Sequence, residues 1–127
     1  MPGSASFLAI LIITYAGLCQ SPPSQCVETF RIVQDMMNIS IVSGAVNCFS
    51  CALDTMDAVD WLIEMDEGVI TADESPDVIT NGNFLVVPMP ISFISSASDG
   101  IRTIACASQI DEDQILRARL SLGEYNN

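Results

Sequence analysis

Reactive side chains stand closest together in Cys48-Phe49-Ser50-Cys51. In a reducing compartment such a C-x-x-C pair binds zinc or exchanges disulfides. The rest of the chain does not supply the partners for that chemistry. It has no histidine, the commonest general base and metal ligand. No serine sits in a nucleophile elbow, and no glycine-rich loop could cradle a phosphate. Two carboxylates are enough for a glycosidase, but a mature chain of roughly 105 residues leaves little room for a sugar cleft. Calcium prefers carboxylate oxygens. Asp54, Asp57 and Asp60 are close in sequence, as are Asp66 and Glu67, but none has the spacing of an EF-hand loop. The expectation is a solvated acidic face, with no catalytic residue, no metal and no cofactor.

The elements that must position these side chains are short strands. Side chains two apart on a strand share a face. Across Gly44–Cys51, Phe49 and Cys51 therefore point one way, and Cys48 and Ser50 the other. Trp61 lies in a second apolar run, Val59–Glu64. Asp99-Gly100 makes a turn, and Ile101–Ala107 reads as a strand with Ile104 and Cys106 on one face. Asp111-Glu112-Asp113 is an acidic turn before the alternating strand Ala118–Leu122. Val27–Val33 is an early strand; Asp35-Met36-Met37-Asn38 breaks it, and Ile39–Val42 resumes it. Asn81-Gly82 between Val78-Ile79 and Phe84–Val87 is a hairpin signal. Pro88 and Pro90 belong at an edge, bulge or corner, because proline cannot donate in a ladder. Ile91–Ile94 or Phe84–Val87 is the strand of that region.

Cys51, Trp61 and Cys106, with the strand at Ala118–Leu122, resemble the immunoglobulin superfamily, and its intermediate sets most closely. The resemblance spans roughly Gly44 to Glu124. It implies an all-β antiparallel sandwich of Greek-key type, in which a cysteine on one sheet bonds a cysteine on the other and a tryptophan packs on the bridge. It implies Cys51–Cys106 as the inter-sheet bond and Trp61 as core; Cys48 in place of Cys51 is the alternative. Four cysteines after signal removal allow three connectivities, and Cys26–Cys48 is the expected second bond. Ile104 stands where the family usually has tyrosine, so the tyrosine-corner hydrogen bond is absent.

Residues 1–19 read as a secretory signal peptide built on the apolar run from Phe7, with Gly17 and Cys19 as the small residues before the cut. Residues 20–25 read as a proline-rich leader, and 26–127 as the domain. Secretion fits an oxidised, disulfide-bonded product. Asn38-Ile39-Ser40 is an N-glycosylation sequon, and a glycan there would cover a sheet edge. Sixteen acids against four bases give a net charge of −12. That excludes a phosphate-binding face for nucleic acid and opposes anionic membranes. The expectation is a secreted single-domain protein for extracellular or cell-surface recognition and adhesion. Its partner is a protein, of basic character, docked on Asp57, Asp60, Glu64, Asp66 and Glu67. A secreted, disulfide-stapled effector, inhibitor or structural protein of another fold is the alternative.

Overall fold

A computed structural model of the chain describes residues 21–55, 58–111 and 113–123. The expected signal peptide, Gln20 of the leader, Asp57, Glu112 and Glu124 lie outside the described residues.

The described chain is mostly β. Its strands are β1 (Glu28–Ile32), β2 (Met37–Ile41), β3 (Asn47–Cys51), β4 (Val59–Met65), β5 (Gly68–Thr71), β6 (Ile79–Asn81), β7 (Phe84–Val87), β8 (Arg102–Ser108) and β9 (Ile115–Leu122). One short helix, α1 (Pro90–Ser95), and two 3-10 turns, Ala52–Thr55 and Ala72–Glu74, complete it. The strands form two sheets. One has four strands in the order β1-β3-β7-β6, and the other has five in the order β2-β9-β8-β4-β5.

Alternation makes the core. On β4, Val59, Trp61 and Ile63 are buried while Asp60 and Glu64 face solvent. Ile104 and Cys106 of β8, with Ala118 and Leu120 of β9, join them. The other sheet contributes Ile32, Phe49, Cys51, Leu85 and Val87. Cys51 of β3 is bonded to Cys106 of β8, with Cα atoms 6.3 Å apart, so the bridge crosses between the sheets. It closes a separation of 55 residues, a constraint worth about 4 kcal/mol in the chain-entropy account. Trp61 is the register partner of Cys106, which sets the indole beside the bridge. Its Nε1–H donates to the Asn83 carbonyl at 3.2 Å, as a buried indole requires. Cys48, of opposite parity to Cys51, is bonded to Cys26.

The first strand divides in an unexpected way. β1 runs parallel to β3 in the four-stranded sheet. The chain then reverses through residues 33–36, where Met36 has φ 61°, and β2 pairs in parallel with β9 in the other sheet. Asp35 holds the reversal: it accepts from the Arg117 backbone N–H at 2.9 Å and from the Arg117 guanidinium at 3.2 Å.

The other hairpins follow from turn chemistry. Gly82 has φ 61° and sits at the first central position between the paired Asn81 and Phe84, where a II′ turn needs glycine. Asn47 closes the connection from β2 to β3. Its amide donates to the Val42 and Ala45 carbonyls at 2.8 and 2.9 Å and accepts from the Val42 N–H at 3.2 Å.

One expected strand is a helix. Ile91–Ile94 lies inside α1, and Phe84–Val87 is the strand that pairs with β3. Pro90 is accepted at the start of a helix because the first N–H needs no partner there. Helical spacing lets Phe93 and Ile94 bury while Ile91 stays out.

Candidate functional site

Strand period decides where the acids go. Asp60 and Glu64 both lie on the outward parity of β4, with half-buried Leu62 between them. At about 3.3 Å per residue they stand about 13 Å apart. Asp66 and Glu67 form the turn between β4 and β5 and are exposed. The sequence neighbours are thus spread along β4, from one end of the sandwich to the other. Asp60 is at the end where β4 begins; Asp66 and Glu67 are at the end where β5 begins.

Each end has its own surroundings. At the first, Asp60 Oδ1 accepts from Gln109 Nε2 at 2.8 Å. Asp60 lines a polar cleft of about 290 Å³ together with Thr71, Asp73, Thr80 and Gln109. At the second, Asp66 Oδ1 accepts from Ser98 Oγ at 3.3 Å. Among the described residues, the ion pairs are Arg31–Asp54 at 3.3 Å and Arg117–Asp35 at 3.2 Å. Neither touches the β4 acids, which therefore carry their charge without a base against them.

Asp73, Thr80 and Gln109 were not legible as companions of Asp60. They come from three separate connections, and only the closure of the two sheets brings them together. Asp73 does stand in the acidic run of the sequence, which was the one available signal.

The candidate modification site is open. Asn38 is exposed on β2, an edge strand of the five-stranded sheet, and its register partner on β9 is Arg119. Ile39 and Ile41 point inward from the same strand, so Asn38 and Ser40 face out.

Arg102 is the polar residue that sequence reasoning missed. Only 2% of it is exposed. Its guanidinium donates to the Phe93 carbonyl at 3.1 Å, to the Glu64 carbonyl at 3.2 Å and to Ser96 Oγ. It also lies 5.6 Å from the Phe93 ring centroid. The contacts tie α1 to the end of β4. Among the described residues no carboxylate pairs with it, so its charge is met by backbone dipoles and a hydroxyl. This is a structural pin.

No family model, curated protein or solved structure matches the chain. Functional inference therefore rests on the geometry. Among the described residues, no group of three or more His, Cys, Asp or Glu side chains could hold a metal ion. No described helix is long and apolar enough to cross a membrane. The arrangement is suited to charge complementarity over a surface: outward carboxylates on a rigid strand, backed by a bridged core.

Proposed function

We propose that the chain is an immunoglobulin-like, secreted recognition protein that binds a basic extracellular or cell-surface protein and has no catalytic activity. Strand order supports the fold reading. The sequence β1-β3-β7-β6 corresponds to strands A, B, E and D of that family, and β9-β8-β4-β5 to G, F, C and C′. The bridge from β3 to β8 and the indole on β4 fall on the same equivalence. The parallel run of β1 along β3 is the departure from it. Two disulfides are compatible with an oxidising compartment.

The observation that carries the binding reading is the set of outward acids on β4 and its turn, Asp60, Glu64, Asp66 and Glu67, with no base against them among the described residues. Long-range attraction to a basic surface raises association rates and weakens with salt. Rim charges of this kind act more on encounter than on final affinity, so the buried part of such an interface must come from neighbouring uncharged surface such as Leu62 and Val69.

The test is a binding screen of the purified chain against extracellular domains. The expected hit loses affinity as salt rises from about 50 to 500 mM. It is also lost on Asp60→Lys with Glu64→Lys, which leave the core untouched. A partner whose binding ignores both salt and these reversals would remove the acidic strand from the reading. Mass spectrometry of the product in the medium tests secretion and Asn38 together; an intact N-terminus on a cell-retained chain would overturn the localisation.

A further inference from the structure

Three stretches free of charged residues, Ser21–Val27, Ile41–Leu53 and Val86–Ser98, meet at one end of the sandwich. The register brings them together. Asn47 at the start of β3 pairs with Val87 at the end of β7, and the N–H groups of Val27 and Glu28 both donate to the Val46 carbonyl, at 3.0 and 3.2 Å. The acids at this end, Asp66, Glu67 and Asp99, belong to the turns that flank the five-stranded sheet. On the four-stranded side the surface is neutral and apolar.

That surface has relief. A cleft of about 360 Å³ is lined by Val27, Val46, Pro88, Met89, Pro90 and Ile91. Three of these are largely exposed: Val27 at 67%, Met89 at 66% and Ile91 at 55%. Gly44 lies in the same wall, and a Cβ built there meets nothing within 4 Å. Protruding side chains and a hollow thus occupy one patch.

We propose that this end is a self-association surface, where a second copy of the chain docks by a two-fold contact. Met89 and Ile91 of each copy enter the cleft of the other. A two-fold interface needs one surface that complements itself, and a knob beside a hole provides that. Charge selects the occupant. Two chains of net charge −12 repel one another over most of their surfaces, and this neutral end is where they approach at least cost. An anionic membrane is disfavoured by the same charge. A basic partner is drawn to the acidic strand β4, away from this patch. The proposal is independent of that partner and stands or falls separately.

The experiment is sedimentation equilibrium of the purified chain from about 1 to 500 µM. The expected result is a concentration-dependent rise toward twice the monomer mass. Met89→Asp and Ile91→Asp, both at exposed sites, weaken the dimer by about tenfold or more each, as loss of a central apolar anchor does. Gly44→Leu, which fills the hollow from the other side, does the same. Unfolding midpoints of all three stay near that of the parent, so lost association is not lost fold. Val69→Asp, on the exposed edge strand β5, leaves the dimer intact. A monomer throughout the range overturns the proposal. So does a dimer that survives the Asp and Leu variants, or one broken by Val69→Asp alone, which would place the contact on the five-stranded sheet. Loss of binding to a different protein in the Met89 variant, without any dimer in the parent, would assign the patch to that protein and overturn self-association.

Discussion

Replacing Arg102 with methionine tests whether the pin between α1 and β4 holds the domain together. Methionine keeps most of the apolar stem and removes the guanidinium. Three oxygen acceptors then lose their donor: the carbonyls of Phe93 and Glu64, and the hydroxyl of Ser96. Hydrogen bonds from charged donors contribute about 1.5–3 kcal/mol each, net of exchange with water. The contact with the Phe93 ring adds about 1 kcal/mol when desolvated. Relief acts in the other direction: burying a cation without a carboxylate costs several kcal/mol in raw terms, and water reaches some of the vacated acceptors. With each bond at its lower value and the three not fully additive, the loss is about 4 kcal/mol. For a domain near 100 residues this lowers the melting temperature by about 15–25 °C. Arg102→Lys restores a charge but not the planar fork, so it recovers about half. The assay is guanidinium unfolding with the disulfides intact, followed by far-UV circular dichroism. A loss under about 1 kcal/mol in Arg102→Met would refute the reasoning, and so would a lysine variant equal to the parent. Either would mean that the backbone dipoles barely repay the buried charge.

Asn47→Ala removes the three bonds that close residues 42–46; a loss of about 2–3 kcal/mol is expected in the denaturant midpoint, and a neutral result would mean that the turn closes without them. Replacing Cys51 and Cys106 together by alanine lowers stability by about 4 kcal/mol, and Cys26 with Cys48 by about 3, because the second bridge closes a separation of 22 rather than 55; equal losses would contradict the loop-length account. Gly82→Ala places a side chain at φ 61°, which costs about 1–2 kcal/mol, and a stability unchanged in thermal melts would count against a left-handed turn there.

Much of the frame was legible because it rests on a period of two. Phe49 with Cys51, Trp61 with Ile63, and Ile104 with Cys106 all lie on inward parities that can be counted by hand. Where the fold differs from expectation, the deciding information is not local. A short apolar run such as Ile91–Ile94 suits a strand or a buried helix equally. Pro90 at its start favours the helix, and the Arg102 guanidinium accepted by the Phe93 carbonyl helps to hold it. Strand direction is hidden in the same way. The residues of β1 alternate correctly for either sense, and only the reversal at Met36 and its anchor on Arg117 select the parallel one. The acidic site was half legible. Closeness in sequence grouped Asp60 with Asp66 and Glu67, yet an extended strand carries neighbours apart, while Asp73 and Gln109 reach Asp60 only when the sheets close.

The uneven placement of charge has a topological cause up to a point. β3 and β7 are buried along their whole length, so both parities of each must be uncharged. Because the two strands pair antiparallel, the segment entering β3 and the segment leaving β7 emerge side by side. A neutral strip at that end follows from burial of the central strands alone. Burial does not extend to Val27, Met89 and Ile91, each more than half exposed. Nothing in the packing of a monomer requires those three to be apolar, and polar residues would suit the helix start and the leader equally well. Single exposed hydrophobic side chains need no explanation, but three around one cleft do. Contact between two copies supplies one, since it gives the protruding side chains the buried environment that the monomer withholds. It also accounts for why acids, abundant elsewhere, are missing from the loops that would meet across the two-fold axis.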